Sequence, residues 1–229
     1  IATEKILKRK VTFESIKKLE NSFVDEMENY LTYTAINSKG EEGLSQNTIG
    51  KQFKNLRVFL NWCFEREYVN RFSIKHLKVS QEIIDEIYME NSELNTLIKM
   101  KLSDKHEEIV RDGFILGCNT ALRYSDLLLL RSSHINRDKG KETIEIQQKK
   151  TKKKVIIPIN KISHTILKKY DYQSPIKGIY GVDFNKTIKK ICKEAKIDSI
   201  KTQYKTLRGK LQEFDYKKYE LVSSHTCRR

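Results

Sequence analysis

Thr120-Ala121-Leu122-Arg123-Tyr124-Ser125-Asp126-Leu127-Leu128-Leu129-Leu130 is the stretch on which the reading of this 229-residue chain turns. It places one arginine at a turn leading into a very hydrophobic helix, with a carboxylate three residues further along the same face. An arginine held there by Asp126 presents its guanidinium as a fixed planar fork, the geometry that two-point recognition of a phosphate diester or a carboxylate requires. An ordinary amphipathic helix with a surface Arg–Asp pair reads the same way, so the stretch needs company.

Charge supplies the first of it. The chain carries 45 Lys+Arg against 30 Asp+Glu, a formal +15 that is spread along its length instead of being confined to a tail. A polyanionic partner follows. Nucleic acid is favoured over a membrane surface, because no apolar run approaches the ~20 residues of a membrane span and no N-terminal signal pattern is present. A soluble, cytoplasmic protein is expected, and a 38% hydrophobic fraction can furnish cores for two modest domains. Cys63, Cys118, Cys192 and Cys227 are far apart and form neither a C-x-x-C pair nor a Cys/His cluster, so they read as reduced thiols and no metal site is expected. The chain starts at Ile1 and stops at Arg229 in what reads as the first turn of a helix, which suggests a piece of a longer protein.

Outward from Arg123 toward the N-terminus, residues 106 to 118 read as a buried helix through Ile109, Val110, Phe114, Ile115 and Leu116. Asn91-Ser92-Glu93 offers a helix start before it. Farther back, Phe13, Ile16, Leu19, Phe23, Met27 and Leu31 mark a helix or helix pair, and the Gly-containing stretch 37–46 is a loop. Asn47 or Thr48 then caps a long helix with Ile49, Phe53, Leu56, Phe59, Leu60 and Cys63 turned inward. Lys51, Lys54 and Arg57 lie off that stripe and are candidate DNA contacts. Residues 1–82 thus form an all-helical basic domain, joined by a linker to about 88 to a second domain, 88–229.

Toward the C-terminus the period changes. Thr143, Ile144 and Ile146 on one side and Val155, Ile156, Ile157 and Ile159 on the other flank Lys149-Lys150-Thr151-Lys152-Lys153-Lys154, a hairpin with a lysine-rich tip. Lys149, Lys152 and Lys153 join the DNA-contact candidates. A helix is predicted over 183–195, and residues 199–218 read as a strand pair or a contact loop. Ser223 and Ser224 cap a last helix that starts His225-Thr226-Cys227-Arg228-Arg229, placing His225 and Arg228 on one face at an anion-favouring N-terminus. An arginine at a helix start, a lysine on a hairpin tip, then His and Arg on a capped turn can together surround one phosphate.

In that order these segments resemble the boxes of the tyrosine recombinases, or phage-type integrases. Residues 120–130 look like their first box, Lys150-Thr151 ahead of Val155-Ile156-Ile157-Pro158 like their catalytic-lysine hairpin, and Ser223 to Arg229 like their second box. Asn47-Thr48-Ile49-Gly50-Lys51 with Phe59-Leu60-Asn61-Trp62, and Asp183 to Ile191, are similar to integrases of conjugative transposons. The resemblance implies a mainly α fold with a small antiparallel β-sheet: an all-helical SAM-like core-binding domain followed by a mixed α+β tyrosine-recombinase catalytic domain, together a C-shaped clamp on duplex DNA. It implies that Arg123 and Arg228 clamp the scissile phosphate, that His225 assists there, that Lys150 is general acid and that Asp126 orients its arginine. Lys149 and Lys152 to Lys154 are close neighbours of Lys150, and only the Lys-Thr pair singles it out. The reaction implied is site-specific DNA strand cleavage and rejoining through a 3′-phosphotyrosine, with no metal or cofactor, by a homotetramer on two DNA sites.

Two departures from the family's pattern stand out. Ala121 occupies a usual glycine position, and the third box and the nucleophilic tyrosine lie beyond the second box, hence past Arg229. Tyr204, Tyr216 and Tyr219 precede His225 and do not match the nucleophile's place. DNA binding without cleavage is therefore expected of these 229 residues. A type IB topoisomerase-like enzyme and a non-catalytic DNA-binding regulator are the rival readings.

Overall fold

The helix over Lys105–Thr120 buries its residues almost all round, Glu107, Arg111 and Asp112 included, as a helix at the centre of a domain does. The computed structural model describes residues 21–38, 40–69, 82–83, 85–138 and 140–228. They divide into two compact units, one made of residues 1–85 with 202–214, the other of 86–201 with 215–229. The stretch assigned above to a single second domain, 88–229, thus contributes residues 202–214 to the first unit.

In the first unit, α1 (Asn21–Asn29) runs into a π-helical turn, Tyr30–Thr34, and α2 spans Gln46–Glu65. Phe23, Val24, Met27 and Leu31 pack with Ile49, Phe53 and Leu60 into its core, whereas Phe59, expected on the inward stripe, falls to one side of it and lies exposed, stacked beside Trp62. Helix α2 begins one residue before the predicted caps, with Ser45 in the N-cap position. Asn47 instead exchanges two hydrogen bonds with the backbone of Glu82, which explains its removal from capping duty. Phe13, Ile16 and Leu19 of the predicted first helix lie outside the described residues. Residues 202–214 join this unit as most of a hairpin, β4 (Ile200–Leu207) and β5 (Lys210–Lys217). Arg208 and Gly209 both have positive φ, 51° and 70°, as a two-residue type I′ turn demands. Leu207 bridges to Ser45, and Arg208 binds Glu42.

In the second unit, α3 (Asn91–Lys99) starts where predicted, its Glu93 carboxylate accepting the Glu90 amide. Helix α4, Lys105–Thr120, is capped by Asp104. It packs against α6 (Lys161–Lys169), α7 (Gly181–Glu194) and a 3-10 turn, Thr226–Arg228. Two glycines on one face make this possible. A Cβ at Gly113 would lie 2.3 Å from Ile176, and one at Gly117 3.0 Å from the Cys227 sulfur.

After α4 the chain makes a four-residue helix, α5 (Tyr124–Leu127), and not the long one the leucine run suggests. A three-stranded antiparallel sheet follows in the order β1 (Ile135–Asp138), β2 (Lys141–Gln147), β3 (Lys154–Pro158). Ile144 opposes Ile157 and Ile146 opposes Val155, so alternate residues of β2 enter the core while the lysine-rich turn projects beyond it. A short helix, α8 (Lys218–Leu221), leads to the last turn. The fold is therefore mainly α with small antiparallel sheets. No described helix is long and apolar enough to cross a membrane.

Candidate active site

The end of α4 sets the geometry. Ala121 closes the helix in the left-handed region, φ 50° and ψ 23°, which turns the chain sharply and leaves Arg123 in extended backbone as the N-cap of α5. Left-handed alanine is strained where glycine is not. Ala121→Gly is expected to stabilise the protein by roughly 0.5–1 kcal/mol, seen as a higher urea midpoint at unchanged slope.

Being outside the helix, Arg123 does not share a face with Asp126, and the predicted pairing of the two is replaced by two other contacts. Asp126 is fully buried and its Oδ1 accepts the backbone amide of Lys149 at 2.9 Å. Arg123 Nη1 donates to Gln148 Oε1 at 2.7 Å. The same Gln148 oxygen accepts the Thr151 hydroxyl at 2.7 Å. The arginine corner and the lysine-rich turn are thus tied together twice. Lys150 sits between the anchored residues 149 and 151, exposed, as are Lys149, Lys152 and Lys153. Lys154 is occupied by an ion pair with Glu145.

Arg228 arrives from the other end of the chain. Its Nε donates to the Ala121 carbonyl at 2.8 Å, two residues from Arg123. Buried Cys227 fills the space left by Gly117 and holds the turn against α4. Its thiol is pushed well above the ordinary range by its hydrogen bond with Cys118 and then by burial, so it is a protonated packing group. His225, exposed, lies on the loop just before Thr226–Arg228, and the expected helix is a three-residue 3-10 turn over the described residues. Three hydrogen bonds shape that loop: Ser223 N to Thr226 Oγ1, His225 N to Ser223 Oγ, and Ser224 N to Asn185 Oδ1 on α7. Among the described residues, the side chains of Lys150 and His225 and the Nη groups of Arg228 have no partner.

The second unit therefore brings Arg123, Arg228, the Lys150 turn and the His225 loop to one corner. Lys51, Lys54 and Arg57 belong to α2 of the first unit, the two lysines exposed and the arginine half-buried. Gln148 and Asn185 escape the sequence reading, since an amide just past a strand end or inside a helix carries no pattern. Tyr124 is engaged within the fold: its hydroxyl donates to the Ile179 carbonyl at 2.6 Å, and burial, then Asp183, push its pKa up. Cations grouped at one exposed corner, with several donors free, can bind a phosphate diester and stabilise extra negative charge on it.

Comparison with known proteins bears on the fold that holds this corner. Residues 2–79 match the phage integrase SAM-like domain. Among solved structures, the chain is similar to the XerH site-specific recombinase bound to palindromic difH substrate in a post-cleavage complex, with a TM-score of 0.58 and 17% identity over 99% of this chain and 62% of that one. It is also similar to XerH bound to difH substrate in a pre-cleavage complex, with a TM-score of 0.55 and 15% identity over 98% of this chain and 62% of that one. No curated protein sequence matches it. The chain thus spans about 62% of the length of these structural relatives. The fold is like that of the XerH site-specific recombinase, and its first 79 residues include the match to an integrase SAM-like domain.

Proposed function

We propose that the chain belongs to a site-specific DNA recombinase of the tyrosine family that integrates or rearranges a mobile element of the conjugative-transposon type. The observation that carries this reading is the hydrogen bond from Arg228 to Ala121, which sets both arginines at one corner beside the lysine turn. Arg123 and Arg228 hold the scissile phosphate and stabilise the charge that grows on its oxygens in the pentacoordinate transition state. His225 hydrogen-bonds the same phosphate. Lys150 gives its proton to the departing 5′-oxygen. Asp126 acts on the lysine turn, through the Lys149 amide.

The nucleophile is a tyrosine from outside these residues, and its 3′-phosphotyrosine conserves the bond energy that a 5′-hydroxyl of a partner strand later uses. Exchange between two sites calls for four protomers on two duplexes. Lys51, Lys54, Arg57, Lys149, Lys152 and Lys153 supply phosphate contacts that lower affinity as salt rises.

A nicked duplex carrying the junction sequence of the encoding element tests the reading. It is incubated with these 229 residues and, separately, with a chain extended past Arg229. The expected result is a denaturation-resistant protein–DNA adduct from the extended chain alone. An adduct from the 229 residues themselves would locate the nucleophile among their own tyrosines. Salt-sensitive binding with no adduct from either would leave a DNA-binding module, and relaxation of supercoils without strand exchange would leave a topoisomerase.

A further inference from the structure

We infer that Gln148 is a positioning residue that registers the Lys150 turn on Arg123, so that the proton donor and the phosphate clamp are delivered to the same diester. The inference rests on the recombinase reading above and deepens it.

The turn from Gln148 to Lys153 is closed by its own backbone, Gln148 N to Lys153 O and Lys152 N to Gln148 O, both at 2.9 Å. That closure fixes the shape of the turn and says nothing about its place relative to Arg123. Two side chains set the place. Asp126 holds the near end through the Lys149 amide. Past Lys150, the Gln147 side chain adds a bond to the Lys152 carbonyl that stays within the hairpin, and among the described residues the side chain that links the turn to the arginine is Gln148, whose single oxygen accepts both Arg123 Nη1 and the Thr151 hydroxyl at 2.7 Å. Lys152 adopts positive φ, 56°, so the turn carries backbone strain that such side-chain bonds must hold in place. Arg123 does not depend on the glutamine to the same degree. Its backbone is fixed as the α5 N-cap, and a bound phosphate itself directs its guanidinium.

The chemistry separates the two roles. In cleavage the tyrosine oxygen attacks phosphorus, the bond from phosphorus to the 5′-oxygen breaks, and the lysine ammonium gives its proton to that oxygen, leaving a 5′-hydroxyl. When sulfur replaces the bridging 5′-oxygen, the leaving thiolate needs no proton. A defect in placing Lys150 is then bypassed, while a defect in the arginine clamp or in folding is not.

The test uses a chain extended past Arg229 and two nicked duplexes that differ only in bridging oxygen or sulfur. Gln148→Met keeps the length and removes the acceptor. It is expected to slow single-turnover cleavage of the oxygen duplex by about 10²-fold, the scale of a 1 Å misplacement, and the sulfur duplex at least about 10-fold less than that. Duplex affinity and thermal midpoint stay near those of the unmutated chain. Gln148→Glu keeps the acceptor oxygen, so its oxygen-to-sulfur rate ratio stays at the unmutated value even if the charge it places beside Arg123 lowers both rates. Equal loss on both duplexes in Gln148→Met, or no loss, overturns the inference. Absence of cleavage by the unmutated extended chain instead overturns the recombinase reading and the inference with it.

Discussion

Arg123→Ala in a chain extended past Arg229 is expected to lower the rate of strand cleavage by about 10²–10³-fold, or roughly 3–4 kcal/mol, the effect of removing one preorganised donor from a developing oxyanion. Arg228→Ala should do the same. Binding to the duplex should change much less, the slope of log affinity against log salt falling by about one unit for each phosphate no longer engaged. Rate and affinity must part company for the recombinase reading to stand. If both fall together, and by the same factor as at Lys51 or Lys54, the arginines are ordinary backbone contacts and the chain is a binding module.

Arg228→Lys sharpens the same prediction. Arginine gives one nitrogen, Nε, to the Ala121 carbonyl, and in the proposed role its two terminal amino groups are left for the phosphate. A lysine ammonium is a single point and has no planar fork to divide between the two. The conservative replacement is therefore expected to lose nearly as much cleavage as alanine. Substantial recovery with lysine would mean that charge alone suffices and that the bond to Ala121 does not aim the side chain.

What could be read in the sequence follows from which residues carry a periodic burden. The α4 helix is legible because Val110, Phe114 and Ile115 must be buried, and β2 and β3 are legible because Ile144, Ile146, Val155 and Ile157 alternate. The four leucines 127–130 mislead: an apolar run states burial and not conformation, and only Leu127 lies in α5. Strand β1 passes unnoticed since Ile135-Asn136-Arg137-Asp138 is an exposed edge with no alternation. Arg123, the lysine turn, His225 and Arg228 could be singled out in order as candidates, but the bonds that hold them could not be read. Whether Asp126 meets a guanidinium or an amide depends on where α5 begins, and Gln148 finds its two donors only after the hairpin has closed on the arginine corner. The allegiance of residues 202–214 is likewise tertiary, made by bonds such as Thr206 N to Glu82 and Arg208 to Glu42.

The least legible feature is a buried lysine, and it gives the other large expected effect. Lysine is seldom fully buried without a partner, yet the Lys218 side chain is 2% exposed and faces a Glu93 side chain 17% exposed. Nζ reaches Glu93 Oε1 at 2.7 Å and Oε2 at 2.6 Å, with the Tyr88 ring centroid at 5.7 Å. Glu93 also accepts the Glu90 amide, so one carboxylate caps α3 and neutralises a lysine of α8. Glu93→Ala strands the ammonium, and the expected cost is about 3–5 kcal/mol, plus about 1 kcal/mol for the missing cap. Lys218→Met in the Glu93→Ala background removes the stranded charge and should return most of the larger figure, leaving only the capping deficit. Urea unfolding followed by circular dichroism is the suitable measurement, because the single tryptophan, Trp62, reports on the first unit. A loss below about 1 kcal/mol in Glu93→Ala would mean that the ammonium escapes to water at little cost, and the pair would then be a surface contact and not a determinant of how α8 brings the chain to His225 and Arg228.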